Sequence, residues 1–307
     1  MDNQPIIVSF SGGRTSAYML RLLLDNYPEA DLRVVFANTG KEREETLDFV
    51  HECATRWNIP VTWVEAVVNP QKGVRTGYRI VTYETASRLG EPFEAAIAKY
   101  GIPNNSFPHC SRELKTQPIG AWIQDTFQGQ PFQMALGIRA DESQREGEWW
   151  YPLIEWGVTK QQVRQFWREQ PFDLGLKDYE GNCDLCWKKG HNKNLTLLEE
   201  KPALATWWKQ MEQKYGHVSP GDDERRQTKK TAPLPLLDTL SGVPNKKQGP
   251  FYFNHNAVSI AMLEKMVERG KFRRIKDEEE VRSCACGVEF ENLKHFTNET
   301  LSPPVTA

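Results

Sequence analysis

The chain has 307 residues, a formal net charge of −2 and a pI near 6.4. This length allows one large domain or two smaller ones, and the balanced charge excludes a general electrostatic footprint for nucleic acid. The sequence shows no apolar run near the roughly 20 residues of a membrane span, and residues 1–5 lack the features of a signal peptide. We therefore expect a cytoplasmic protein with no membrane partner, whose cysteines are thiols or metal ligands rather than disulfides.

The first informative stretch covers residues 6–16, where a short apolar run leads into Ser-Gly-Gly and a helical pattern follows at once. This order predicts a strand, a tight turn and a helix. Gly12 and Gly13 let the backbone turn sharply and approach a ligand closely, and the free N–H groups of the new helix face the turn. A phosphate site and an ordinary glycine turn both fit these residues.

Two more apolar runs, residues 32–37 and 61–67, are predicted to be buried strands, with a helix between them from about Glu42 to Trp57. Alternating strands and helices favour a parallel sheet that is wound with helices on both faces. Ligands of such sheets bind beyond the carboxyl ends of the strands. Residues 11–16 and 38–40 both lie at such ends, although Thr39 also suits a helix N-cap.

A further strand is predicted over residues 132–139, and it ends near Gly137 and Arg139. Arginines provide planar, permanently charged donors for an oxyanion, so Arg139 and Arg145 are candidates for holding one. The alternative is a surface cluster in which both arginines pair with Asp141 and Glu142.

Cysteines mark two other stretches. Cys110 opens a basic segment that continues as a predicted helix, and Cys183 and Cys186 form a C-x-x-C motif. Such a motif places two thiolates within reach of one metal or cluster. A lone C-x-x-C is equally compatible with a redox pair or half of a zinc site.

The chain after residue 195 is predicted to be mostly helical, with polar stretches at 220–235 and 241–250. Four basic residues in the first polar stretch favour a solvated loop over a nucleic-acid contact: Arg225, Arg226, Lys229 and Lys230. Near the end of the chain, Cys286 stands before Gly287.

Together these motifs resemble a known family. The string Ser-Phe-Ser-Gly-Gly-Arg-Thr-Ser-Ala at residues 9–17 resembles the PP-loop of the ATP-pyrophosphatase superfamily and, within it, the phosphoadenosine phosphosulfate (PAPS) reductase family. The resemblance favours the phosphate site and implies an α/β fold of the adenine nucleotide alpha hydrolase-like type. The family usually has Asp where Thr15 stands. The nucleotide-binding residues that it implies are Ser9, Ser11, Gly12, Gly13, Arg14, Thr15, Ser16, Asn38, Thr39, Gly40, Gly137, Arg139 and Arg145.

The resemblance also implies a cofactor. Iron–sulfur members hold a 4Fe–4S cluster with a cysteine pair and a downstream C-x-x-C, and this chain has three of those four residues, Cys110, Cys183 and Cys186. A cluster on three cysteines leaves one iron open, as in tRNA-thiolating sulfurtransferases with related PP-loops. Alternatively, His109 or His191 completes a Cys3His zinc site. We prefer the cluster.

Three functions follow from the resemblance. A sulfonucleotide reductase would use PAPS or its unphosphorylated analogue APS, a thioredoxin-like reductant and Cys286 as nucleophile. An ATP-dependent sulfurtransferase would use Mg²⁺ and adenylate a nucleic acid or a small molecule. A metal-stabilised nucleotide-binding module would have lost the chemistry. The expected organisation is a PP-loop domain over residues 1–170 and a Cys-containing helical extension over residues 171–307.

Overall fold

A computed structural model describes residues 4–71, 73–104, 107–218, 251–253 and 258–277. The strands in this part of the chain are β1 (Ile6–Ser9), β2 (Leu32–Asn38), β3 (Val61–Val67), β4 (Gly77–Val81) and β5 (Gln133–Leu136). The α-helices there are α1 (Arg14–Asn26), α2 (Glu44–Arg56), α3 (Glu91–Tyr100), α4 (His109–Ser111), α5 (Gln117–Phe127), α6 (Pro152–Glu155), α7 (Lys160–Arg168), α8 (His191–Glu200), α9 (Ala205–Tyr215) and α10 (Ile260–Glu268). A π-helical turn, Arg112–Thr116, joins α4 to α5.

The strands form a five-stranded sheet in the order β4-β3-β2-β1-β5. Strand β1 lies parallel to β2 and β5, β3 lies parallel to β2, and β4 runs antiparallel to β3. The order places β1 between β2 and β5, so the loops that follow these three strands meet at one edge of the sheet.

Helices cover both faces of the sheet because neighbouring residues of a strand point to opposite faces. Val8 and Phe36 pack on one face with residues of α1, α2 and α7. Ile7 and Val35 pack on the other face with Ile119 and other residues of α5. The predicted doubly wound α/β fold is therefore confirmed.

Two details differ from the predictions. Residues 77–81 form β4, an antiparallel edge strand that the sequence did not predict. Helix α2 begins at Glu44 with Arg43 as its N-cap, so Thr39 is not the cap of this helix. None of the described helices combines the length and hydrophobicity that a membrane crossing requires.

The helices after residue 190 share an apolar core with α3. Trp208 of α9 is fully buried and stacks edge-on against Phe253, with ring centroids 4.6 Å apart. Leu263 of α10 belongs to the same core. Residues 172–176, which precede these helices, pack instead against the core of α1 and α2. The expected boundary between residues 170 and 171 stays a prediction.

One carboxyl group ties α9 to the chain that follows it. Glu212 Oε1 accepts the N–H of Phe253 at 3.2 Å, and Oε2 accepts the N–H of Ile260 at 2.9 Å. Burial raises the pKa of Glu212 from 4.5 to about 7, although the two N–H donors act in the opposite direction. The folded protein therefore holds a proton on Glu212 more tightly than the unfolded chain does.

We expect this proton to make stability fall as the pH rises from about 4.5 through about 7, because the folded state binds the proton more tightly across that window. Across this window the free energy of unfolding should fall by about 3 kcal/mol in total. Glu212→Gln removes the titration, so the difference in urea-unfolding free energy between wild type and variant should change across this window. Glu29→Gln, at an exposed position, is the control. A pH-independent difference for Glu212→Gln would contradict the prediction.

Candidate functional site

The predicted nucleotide residues gather at the carboxyl edge of the sheet. Residues 11–16 follow β1, residues 38–40 end and follow β2, and residues 137–139 follow β5. Because β1 pairs with both β2 and β5, the structure brings the three segments together. Ser9 closes β1 and is buried beneath this edge.

The PP-loop, residues 10–16, is closed by two serines. Ser16 Oγ receives the N–H of Ser11 at 3.2 Å and lies 2.9 Å from Ser11 Oγ, and it donates to the carbonyl of Gly13 at 3.0 Å. Gly12 adopts a φ of +75°, the left-handed region that favours glycine. Helix α1 starts directly after Gly13, so its first N–H groups lack partners within the helix and face the loop. This arrangement suits a phosphate.

The Arg14 side chain takes another course. Its Nε donates to Asp173 Oδ1 at 2.6 Å and its Nη1 donates to the carbonyl of Leu176 at 2.9 Å. Trp167 Nε1 donates to the carbonyl of Arg14 at 2.9 Å. The guanidinium thus fastens the first turn of α1 to residues 173–176, and the backbone N–H is what Arg14 offers to a phosphate.

Arg139 connects the end of β5 to the PP-loop. Its Nη1 donates to Thr15 Oγ1 at 3.3 Å. Its Nε and Nη2 donate to the two carboxylate oxygens of Asp141 at 2.9 and 3.2 Å. The same Nη1 lies 3.2 Å from Glu142 Oε2. Arg145 reaches Glu142 at 3.5 Å. The carboxylate pairing that was the alternative is thus present, yet Arg139 is buried beside the loop rather than on the surface.

The charge of Arg139 also acts on Asp141. Burial favours the neutral form of this carboxyl, but the hydrogen bonds and charge of Arg139 outweigh it and hold the pKa of Asp141 below its ordinary value. Gly137 lies against the PP-loop as well, because a Cβ placed on it would come within 3.0 Å of Ser16 Cα. The end of β5 is therefore fitted to the start of α1 by both charge and shape.

Residues 38–40 form a tight turn after β2. Asn38 is fully buried, and its Nδ2 donates to Glu65 Oε1 at 2.7 Å and to the carbonyl of Ser87 at 2.8 Å. Its Oδ1 accepts the N–H of Gly40 at 3.1 Å. The Asn38 side chain thus shapes the turn. Thr39, the next residue, lies beside the cysteines.

The three predicted cysteine ligands line one pocket. Cys110 enters it from α4, whereas Cys183 and Cys186 enter from the loop before α8. Lys115 and Lys188 also line the pocket, and its apolar wall includes Phe93, Trp187 and Trp208. Cys183 Sγ lies 3.9 Å from Thr39 Oγ1. The pocket therefore adjoins the carboxyl edge of the sheet where the predicted nucleotide residues gather, the nucleotide edge.

The loop that carries the C-x-x-C motif pairs with the segment after β2. The N–H of Arg43 donates to the carbonyl of Asn182 at 2.7 Å, and the N–H of Asp184 donates to the carbonyl of Lys41 at 3.2 Å. The Asn182 side chain continues to the PP-loop, where Nδ2 donates to the carbonyl of Ser11 at 2.7 Å. The cysteine loop thus contacts the PP-loop and the segment after β2.

The comparisons with known proteins concern the part of the chain that carries these segments. The family model for the phosphoadenosine phosphosulfate reductase domain matches residues 5–151. An uncharacterized nin region protein, ORF290 of Escherichia phage lambda, is 35% identical over 196 residues, which cover 61% of this chain and 67% of that protein. The chain belongs to the PAPS reductase family.

Two archaeal relatives share shorter regions with this PAPS reductase family member. The uncharacterized proteins MJ0066 and MJ0973 of Methanocaldococcus jannaschii are 29% and 26% identical, over 46% and 39% of this chain. The matches span only 24% and 23% of those proteins. These relatives therefore share a region with the chain rather than a whole architecture.

The departure from the family pattern at Thr15 has a structural counterpart. Thr15 supplies an uncharged oxygen to Arg139, and the charge of Arg139 is balanced by Asp141 and Glu142 instead.

Buried charges fix the cysteine loop. Lys41 Nζ lies 2.9 Å from Asp184 Oδ2, and Asp184 Oδ1 accepts the indole N–H of Trp208 at 2.7 Å. Lys189 Nζ donates to the carbonyl of Cys183 at 2.6 Å. Such groups are costly to bury unless they are paired, so they hold the loop in a single arrangement.

A second ion pair lies beneath the pocket. Lys115, in the π-helical turn, lies 3.1 Å from Glu42 Oε1, and Thr39 Oγ1 donates to the same oxygen at 3.2 Å. The π turn widens the helix at this position, a feature that is common at functional sites. Lys115 therefore links the Cys110 helix to the turn after β2.

His109 is buried but does not line the cysteine pocket. Its Nε2 lies 2.9 Å from the carbonyl of Gly101, and burial lowers the pKa of the imidazole to about 4. His191 begins α8 at an exposed position. The structure thus places neither of the two proposed histidine ligands on the wall of the cysteine pocket.

The donor set can be compared with the metal that the family implies. In the described ranges, no three His, Cys, Asp or Glu side chains converge closely enough to hold a single ion. A tetrahedral zinc site needs ligand sulfurs about 4 Å apart. Three thiols around one pocket fit an iron–sulfur cluster in the type of their donor atoms.

Several residues of the site were not predicted from the sequence, among them Asn182, Glu42 and Lys189. The signal that could have found Asn182 is its place directly before Cys183 in the C-x-x-C loop. Glu42 and Lys189 belong to residue types that are rarely buried, and their burial follows from tertiary packing. Cys286 and the basic residues at 225–230 lie outside the described part of the chain.

Proposed function

We propose that this protein binds an adenine nucleotide in the PP-loop and acts on a sulfate ester at its α-phosphate, as a sulfonucleotide reductase does. The observation that carries this proposal is the pocket shared by Cys110, Cys183 and Cys186, which adjoins Thr39 at the nucleotide edge. The three thiols thereby lie beside the segments that would hold the phosphates.

The phosphates would lie against the N-terminus of α1, where Gly12 and Gly13 allow close approach. Arg139 would provide the second cationic contact, because its guanidinium already reaches the PP-loop at Thr15. An incoming phosphate or sulfate would compete with Asp141 and Glu142 for this guanidinium.

The reaction would proceed by attack of a thiolate on the sulfate sulfur. A sulfur–sulfur bond forms, the bond from sulfur to the phosphate oxygen breaks, and the nucleoside phosphate leaves with the electron pair. A thioredoxin-like dithiol then releases sulfite and becomes a disulfide, which supplies the two electrons. Cys286 remains the candidate nucleophile.

Cys110, Cys183 and Cys186 would hold the 4Fe–4S cluster. Such a cluster supplies a redox-active centre whose potential depends on nearby hydrogen bonds and exposure to solvent. Lys115 and Lys188, which line the same pocket, would hold the sulfate end of the substrate by charge.

A second candidate is an ATP-dependent sulfurtransferase, and the three-cysteine donor set favours it. Three thiols leave one position of a cluster for a sulfur ligand. In this reaction the acceptor oxygen of a nucleic acid or small molecule attacks the α-phosphate of ATP, and pyrophosphate leaves with Mg²⁺. The products AMP and pyrophosphate distinguish this function from reduction.

The deciding assay is anaerobic and uses the purified full chain, reduced thioredoxin, and PAPS or APS. We expect sulfite from one of them, and we expect Cys286→Ser to lower its rate by at least about a thousandfold because the nucleophile is lost. Cys284→Ser, two residues away, is the matched control and should keep the activity. Cys183→Ser should lower both sulfite production and iron content.

Absence of sulfite from both nucleotides, with the metal content intact, would contradict the reductase. Release of AMP and pyrophosphate from ATP would then support the sulfurtransferase, and its acceptor would be sought among nucleic acids and small molecules. Nucleotide binding without either reaction would support the non-catalytic module.

A further inference from the structure

We propose that Asn182 is a positioning residue that couples the PP-loop to the cysteine pocket, so that a bound nucleotide restrains Cys183. The inference rests on the proposed function, because it assumes a nucleotide in the PP-loop. It concerns how the two halves of the site communicate, and it applies to either candidate reaction.

The coupling path is short. Asn182 Nδ2 donates to the carbonyl of Ser11 at 2.7 Å, directly before the left-handed Gly12. A Cβ placed on Gly13 would lie 3.6 Å from the same Nδ2, so the amide covers the second glycine as well. Cys183 follows Asn182 in the chain. A change in the PP-loop backbone therefore reaches the thiol through one side chain.

The remainder of the loop is already fixed by other contacts. The carbonyl of Asn182 accepts the N–H of Arg43 at 2.7 Å, and Lys189 holds the carbonyl of Cys183 at 2.6 Å. Because the backbone is anchored to the turn after β2, the Asn182 amide adds the link to the PP-loop. Loss of this amide should leave the loop folded and remove the link.

The link from Asn182 to the PP-loop would fix the position of a reactive thiol, that of Cys183. Cys183 Sγ lies 3.9 Å from Thr39 Oγ1, in one of the segments that would hold the nucleotide. A phosphate on the N–H groups of α1 would fix the PP-loop and, through Asn182, the position of Cys183. Coupling between sites is reciprocal for equilibrium binding, so modification of Cys183 should in turn change nucleotide affinity.

The test measures alkylation of Cys183 by iodoacetamide, with peptide mass spectrometry, in the full-length protein with and without saturating ATP or PAPS. In the wild type we expect the bound nucleotide to slow alkylation by about fivefold, the factor that one neutral hydrogen bond corresponds to. In Asn182→Ala we expect equal rates with and without nucleotide. Because the proposed cluster would cover the Cys183 thiol, iron release is measured together with alkylation, and the bound nucleotide should slow both.

Two further variants complete the design. Asn182→Asp keeps the size of the side chain but cannot donate to the carbonyl of Ser11, so it should also abolish the protection. Asn26→Ala, at an exposed position at the end of α1, should keep it. Unfolding curves of each variant establish that the fold is intact. If Asn182→Ala does not fold, Asn182→Asp shows whether the protection of Cys183 depends on the Asn182 amide.

The outcomes separate the two proposals. Equal protection in wild type and in a folded Asn182 variant that binds nucleotide would overturn the coupling and leave the proposed function standing. Failure of the wild type to bind ATP and PAPS, measured by calorimetry, would contradict the proposed function and the coupling together. Loss of protection in the Asn182 variants alone, with nucleotide still bound, would support the coupling.

Discussion

Gly12→Ala is expected to destabilise the protein by about 3 kcal/mol and to abolish nucleotide binding. The backbone of Gly12 has a φ of +75°, which is strained for alanine. In addition, a Cβ at this position would lie 2.7 Å from Thr46 Cγ2 and 3.1 Å from atoms of Phe36 and Val50. These neighbours are buried in a close-packed core, so the loop itself must move. Urea unfolding and calorimetric titration with ATP and PAPS measure the two effects.

Two other glycines serve as controls that separate strain from crowding. Gly129 has a φ of +85°, but no atom lies within 4 Å of the position that its Cβ would occupy, so Gly129→Ala should cost only about 1 kcal/mol. Gly13 has a φ of −102°, and its Cβ would meet Asn182 at an ordinary 3.6 Å. Gly13→Ala should therefore keep stability within about 0.5 kcal/mol. Comparable losses in Gly12→Ala and Gly129→Ala would show that crowding is unimportant.

Arg139→Ala is the second substitution for which we expect a large effect. The Arg139 side chain is 9% exposed and pairs with Glu142, which is 11% exposed. Removing Arg139 takes the shorter ion pair from Glu142 and leaves the longer contact to Arg145 at 3.5 Å, at a cost of about 3 kcal/mol. The variant also loses the donor that reaches Thr15, so nucleotide affinity should fall by more than about tenfold. Urea unfolding and calorimetry again provide the measurements.

Arg145→Ala distinguishes binding from stability. Arg145 is 28% exposed and lies 3.5 Å from Glu142, so its removal should cost less than about 1 kcal/mol. Nucleotide affinity should still fall if Arg145 holds phosphate, as the family motif implies. Arg139→Lys keeps the positive charge but loses the two parallel hydrogen bonds from the guanidinium to Asp141. Its stability and nucleotide affinity should lie between those of the wild type and Arg139→Ala. Wild-type stability in Arg139→Ala would show that the ion pairs contribute little.

Much of the nucleotide edge was accessible from the sequence. The apolar run before Ser-Gly-Gly and the helical pattern after it predicted the strand, the turn and α1, and alternation predicted a sheet covered on both faces. These features depend on local propensity and on which face of an element is apolar. Strand β4 was missed because residues 77–81 are partly exposed at a sheet edge and show little apolar pattern.

Interpretation of the site residues required distances. Arg14 and Arg139 are both arginines within recognisable motifs, yet one holds Asp173 and the other reaches Thr15. Asn38 reads as a ligand contact in the sequence, and in the fold its amide supports the turn through Glu65. A side chain of given chemistry takes whichever partner the packing brings near, and sequence spacing does not specify that partner.

The sequence by itself determined the family, the doubly wound sheet and the residue types of the site. These rest on short-range patterns and motifs, which can be recognised in the linear sequence. Only the tertiary structure brought Cys110 to the pocket of Cys183 and Cys186, and only it placed Asn182 on the PP-loop. Such contacts join residues far apart in the chain, and they form because buried charges and backbone groups must find partners once the helices have packed.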